Sequence, residues 1–199
     1  EKRPIEITPK DFHASVDKVT EVMVHDIFSP PVASRIYTYP NIGAYEIMAR
    51  GDERYQSLAG QLSGLQSIPE PESENINFEF AALVAYIDLS RMLIFSEDMI
   101  TTYRDSIYTA WSNTNKGVFE SSKTYGLAIS KHIAEWMEKD NYKQTRTMPK
   151  FSVDTDEPSR WQPTPPAYMD GIEPHWSKIR PFAIDSSSQF KPTPPPPFS

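Results

Sequence analysis

Proline placement constrains this chain more than any other feature. Twelve of its 19 prolines fall within residues 141–199, at positions 149, 158, 163, 165, 166, 174, 181, 192 and 194–197. A proline inside a helix costs roughly 3 kcal/mol, because it lacks an N–H and its ring meets the carbonyl four residues back. Residues 141–199 are therefore excluded from a helical bundle, whereas residues 1–140 can form one.

Within those first residues the apolar spacing is helical. Thr8-Pro9 is an N-cap followed by a first-turn proline. Phe12, Val16, Val19, Met23 and Ile27 then recur every three or four residues, which is one buried helix face. Pro30-Pro31 ends that helix and starts the next, over 30–50, with Pro40 predicting a kink or break inside it. Tyr55, Leu58, Leu62 and Leu65 are spaced as a short helical segment, and residues 66–76 form an acidic, proline-containing loop. Phe78 to Phe95 is apolar nearly all round, as a buried central helix is, with Asp88 and Arg91 placed to pair at i, i+3. Ser96-Glu97-Asp98 is a helix start with a capping serine and early acids. Met99, Tyr103, Ile107, Ala110 and Trp111 follow as its buried face. A last helix over about 117–140 buries Val118, Ser122, Tyr125, Ile129, Ile133 and Trp136. Five or six helices on short loops predict an all-α fold, an antiparallel helical bundle over 1–148.

Residues 149–199 carry large aromatics as well as prolines: Phe151, Trp161, Tyr168, Trp176, Phe182, Phe190 and Phe198. Disordered linkers are poor in aromatics. The pattern predicts an extended proline- and aromatic-rich strap, packed on the bundle or on a partner chain.

Composition excludes several functions. The net charge is −7, and no lysine/arginine cluster tracks a phosphate backbone, so nucleic acid is not an expected partner. The central apolar stretch holds Glu79, Asp88 and Arg91, which argues against a transmembrane helix. With no cysteine, there is no disulfide, thiolate metal site or cysteine nucleophile. No His-Glu-x-x-His, Gly-x-Ser-x-Gly or phosphate-loop motif occurs. Glu70, Glu72 and Glu74 form a solvated acidic loop. His25-Asp26 ends the first helix, where a histidine favours the dipole. His132 is a satisfied core histidine, and His175 belongs to the packing of the strap. Arg35, Tyr37, Tyr39 and Tyr45 crowd the second helix, either as amphipathic packing or as the lining of a polar pocket.

His25-Asp-Ile-Phe-Ser-Pro-Pro-Val-Ala-Ser-Arg-Ile-Tyr-Thr-Tyr-Pro-Asn-Ile-Gly-Ala-Tyr-Glu46 resembles the early helices of bacterial proteins in the vanadium-dependent haloperoxidase and type-2 phosphatidic acid phosphatase superfamily. So do Ala81 to Ser90, and the strap from Trp161-Gln-Pro-Thr-Pro-Pro through Glu173-Pro-His-Trp-Ser-Lys-Ile-Arg-Pro-Phe182 to Phe198. The resemblance implies an all-helical bundle in which cations and backbone N–H groups cradle a tetrahedral vanadate or phosphate, and histidines do the chemistry. The family pattern is a Lys and an Arg-Pro with six residues between them, then Ser-Gly-His, then an Arg and a His with five residues between them. Here Lys178 and Arg180-Pro181 have one residue between them, Ser-Gly-His is absent, and Ile7 stands where an Arg should precede His13 and Asp17. No catalytic and no metal-ligating residue carries over.

The chain is thus expected to be the N-terminal half of such an enzyme, trimmed before Glu1. It would supply bundle scaffold and one wall of the substrate channel, with His25, Arg35 and Tyr39 as candidate wall residues. The resemblance implies vanadate or phosphate for the complete enzyme and none bound by this chain. It also implies a C-terminal catalytic half as partner, covalently continuous or a separate chain, and an exported protein, periplasmic or lipid-anchored. A homo-oligomer stays open. The rival reading is a non-catalytic helical protein-binding module whose strap docks on a partner; a helical-repeat interaction domain would need a period that the sequence lacks.

Overall fold

The computed structural model describes residues 4–157 and 159–196. Phe198, the last expected strap anchor, and the prolines at 158 and 197 lie outside the described residues. The fold is all-α: among the described residues there are six α-helices, one 3-10 turn and no strand. The chain divides into two compact units, residues 1–137 and 138–199.

The first unit is built on five helices: α1 (Pro9–His25), α2 (Pro30–Gly51), α3 (Phe78–Arg91), α4 (Glu97–Ser112) and α5 (Lys116–Met137). Both the N–H and the hydroxyl of Thr8 donate to the Asp11 carboxylate, at 2.8 and 2.6 Å. These bonds, the side-chain one first, hold the Asp11 pKa below its ordinary value. Helix α1 ends at His25, so Ile27 is not part of its buried face. Ile27 is 88% exposed, with a left-handed φ of 56° in the turn that leads to Ser29, the N-cap of α2. Helix α2 runs unbroken through Pro40, which is buried.

Helix α3 is the centre and packs on α1, α2, α4 and α5. Asn77 caps it, its side-chain oxygen accepting from the Phe80 N–H at 2.7 Å. Phe80 to Ile87, with Leu89 and Ser90, are all buried. Its closest neighbours approach through glycines. A Cβ on Gly126 of α5 would fall 2.5 Å from the Ala81 carbonyl oxygen, and one on Gly43 of α2 would fall 2.6 Å from Leu89 Cδ1. Asp88 accepts from Arg91 at 3.3 Å, the expected pair, and from Ser130 of α5 at 2.7 Å.

The expected helix around Tyr55–Leu65 does not form. Gly60 and Gly64 adopt left-handed φ values of 79° and 77°, which break the helical path, and the segment is a series of turns in the loop 52–77. Leu65 alone of the four apolar residues is buried, and Tyr55 is 52% exposed. In α4 the fully buried residue is Ile100; Met99, Tyr103, Ile107 and Trp111 are half-buried and Ala110 is exposed. Among the described residues, no helix is long and apolar enough to cross a membrane.

The second unit contains α6 (Tyr142–Thr145), the 3-10 turn Trp176–Lys178 and otherwise extended or turning backbone. Its start meets residues 178–180, where the Arg180 N–H donates to the Asp140 carbonyl at 2.9 Å and the Asn141 amide donates to the Lys178 carbonyl at 3.0 Å. Tyr142 meets Trp176 edge-on at 6.4 Å, and Phe151 meets Trp161 at 5.6 Å. Arg146 pairs with Glu173.

Candidate functional site

Helical spacing puts Arg35 and Tyr39 one turn apart on α2, and the structure brings them together. Both are buried, and the Arg35 guanidinium lies over the Tyr39 ring, 5.0 Å from its centroid. A cation over a π face is attractive, more so when desolvated. Tyr39 also meets Trp136 of α5 edge-on, with ring centroids 5.2 Å apart. His25, the third candidate, is the exposed last residue of α1. The other tyrosines of α2 go elsewhere. Tyr37 shares a 2.7 Å hydroxyl contact with Thr20, and Tyr45 donates to the Gln56 carbonyl at 2.9 Å. None of His25, Arg35 and Tyr39 lines the cleft of about 360 Å³ walled by Phe12, His13, Tyr45, Met48, Glu79 and Ala82.

One buried charge escaped the sequence reading. Glu46 is 2% exposed. Its two oxygens accept from Ser57 Oγ and from the Leu58 N–H, both at 2.7 Å. A buried carboxylate is tolerated when hydrogen-bonded in this way. The signal was available: a lone acid among Ile42, Gly43, Ile47 and Ala44, on the face that α2 buries. The same loop is fastened by α5, where Trp136 Nε1 donates to the Ser63 carbonyl at 3.0 Å and His132 Nε2 lies 3.3 Å from that of Gln66.

Asp26 plays the equivalent part at the start of α4. It accepts from the Phe95 and Ser96 N–H groups at 2.8 and 3.0 Å, and from the Ser96 hydroxyl. Ser96 is the N-cap by position, yet its hydroxyl is given to Asp26 rather than to the helix. Burial raises the Asp26 pKa; the bonds from Ser96 and Phe95, with the charge of His25, outweigh it and hold the pKa below the ordinary value.

A tetrahedral oxyanion needs several converging cations and a free imidazole. The donors here are arranged otherwise. Arg50 pairs with Glu70, Arg54 with Asp52, Arg91 with Asp88 and Glu97, Arg104 with Asp105, and Arg160 with Asp154. His175 Nε2 lies 2.6 Å from the Pro149 carbonyl oxygen. His13 and His25 are exposed on α1. Among the described residues, no three His, Asp or Glu side chains are grouped to hold a metal ion. Among the described residues, the side chains above form no nest of converging cations for vanadate, and no reaction step follows from them.

The fold and these side chains define a helical bundle centred on one helix whose residues 80–87, 89 and 90 are buried. A solved structure with the same fold is that of a bacterial vanadium-dependent iodoperoxidase: 62% identity over 100% of this chain, with a TM-score of 0.96. Over its whole length the chain is similar to part of that vanadium-dependent enzyme. It spans 48% of the length of that iodoperoxidase. No protein-family model matches the chain, and none of the curated proteins does.

Proposed function

We propose that this chain is the N-terminal helical part of a vanadium-dependent haloperoxidase whose oxyanion site lies in a C-terminal part. The observation that carries the reading is 62% identity along the whole chain to an iodoperoxidase of twice its span, coupled with a sequence that lacks Ser-Gly-His. High identity to an iodoperoxidase favours iodide oxidation by hydrogen peroxide over phosphate-ester hydrolysis. In this role residues 1–148 act as bundle and residues 149–199 as strap. The channel-wall role of His25, Arg35 and Tyr39 rests on the resemblance of stretch 25–46 to the family's early helices. The reading also carries export, to the periplasm or a lipid anchor, which cell fractionation tests.

The test compares the 199-residue chain with the product of its gene read through beyond Ser199. Both are loaded with orthovanadate and assayed with peroxide and iodide, and with p-nitrophenyl phosphate. Iodide oxidation by the longer product and none by the chain is the expected result. Turnover by the chain alone, or phosphatase activity without iodide oxidation, overturns the reading. For the wall, Arg35→Ala in the longer product is expected to raise KM and leave kcat unchanged.

A further inference from the structure

The second unit exposes apolar side chains that its own fold leaves uncovered. Among the described residues, no hydrophobic residue after Met137 is buried. Phe151, Val153, Trp161, Tyr168, Met169, Ile172, Ile184 and Phe190 are all exposed, Met169 by 65% and Phe190 by 78%. Several of them share one place: a groove of about 640 Å³ walled by Phe151, Trp161, Pro165, Pro166, Met169 and Ile172. A cluster of exposed large apolar residues around one concavity marks an interaction surface, whereas isolated ones do not.

We infer that this groove is the seat for the polypeptide corresponding to the half of the iodoperoxidase that the chain does not span. The inference rests on the half-enzyme reading above. Three observations choose this occupant. The groove's lining is apolar apart from Thr164 and Asp170, and Asp170 pairs with Lys150 at 3.8 Å. The occupant must therefore offer apolar side chains rather than a complementary charge. A second copy of this chain, docked symmetrically, would set groove against groove and leave both unfilled. The iodoperoxidase, by contrast, holds as much polypeptide again beyond the matched 48%, enough to present a convex apolar surface.

The chain has no cysteine, so Met169→Cys and Ile172→Cys each place one thiol in the groove, and Phe95→Cys places one on an exposed site of the first unit. Each variant is made in the 199-residue chain and in a chimera in which these residues replace the matching 48% of the iodoperoxidase. Maleimide labelling is read at each peptide by mass spectrometry. The two groove thiols are expected to label at least tenfold more slowly in the chimera than in the chain, and the Phe95→Cys thiol at the same rate in both. Equal groove rates overturn the inference. So does protection in the isolated chain that grows with its concentration, which would mean a second copy. A chimera that does not fold while the parent iodoperoxidase does also counts against it, because the two parts then fail to meet through this surface. Protection in a product that oxidises no iodide keeps the seat and sinks the enzyme reading; oxidation without protection does the reverse.

Discussion

The two units of this chain use aromatic residues in opposite ways. In residues 1–137, Phe80, Tyr86, Tyr39 and Trp136 fill a core around α3, and Phe80 stacks on Phe119 with centroids 5.2 Å apart. In the second unit Tyr142 pairs with Trp176 and Phe151 with Trp161, and the described aromatics remain partly or largely exposed. The difference is set by proline. A helix repeats its side chains every 3.6 residues and gathers them on one face; a proline-broken chain cannot do so, and its large side chains have no common direction. The second unit is held by backbone-directed bonds such as Arg180 to Asp140, and by ion pairs such as Arg146 to Glu173. Aromatic content therefore states the need for an apolar surface, and backbone regularity states whether the chain supplies that surface itself.

The contrast predicts a gradient of mutational effects. The largest is expected for Phe80→Ala, which empties the centre of the first unit and should cost about 3–5 kcal/mol in urea denaturation followed by far-UV circular dichroism. A loss under about 1 kcal/mol would mean that α3 is not the core. Glu46→Ala comes next. It leaves Ser57 Oγ and the Leu58 N–H without their acceptor, at about 1–3 kcal/mol, with faster hydrogen exchange at Leu58 as its local sign.

Asp26→Asn is smaller, about 1 kcal/mol near neutral pH, because the group is partly solvated. Its folded-state pKa lies below the ordinary 3.8. The stabilisation is therefore complete above the unfolded pKa and is lost as pH falls through the folded one. The difference between wild type and Asp26→Asn in a pH series of melts should close below about pH 4. The smallest effect is expected in the second unit: Trp161→Ala should change the stability of the chain by less than about 0.5 kcal/mol, since half of the ring is already in water. A loss as large as that of Phe80→Ala would erase the distinction between the units.

Much of the first unit was legible because its signals are local. Thr8-Pro9, Pro30-Pro31 and the unbroken apolar run of α3 each fix an element from neighbouring residues. What was not legible depends on distant partners or on backbone sign. Tyr55, Leu58, Leu62 and Leu65 have helical spacing, but Gly60 and Gly64 turn the chain through left-handed φ, and spacing alone does not report that choice. The hydroxyl of Ser96 goes to Asp26, 70 residues away, which no local capping rule foresees. Of the candidate wall residues, Arg35 and Tyr39 were linked by their i, i+4 spacing, but their burial depends on Trp136 of α5. The absence of Ser-Gly-His was read directly from the residues.

Trp136 joins the core to the long loop: its ring abuts Tyr39 while its indole nitrogen is bonded to Ser63. That makes it an internal optical gauge. Lifting the loop would wet the indole and move its emission to longer wavelength while the helices, and their circular dichroism, stayed unchanged. Trp161, already half in water, would contribute the steady red-shifted background against which that movement is seen.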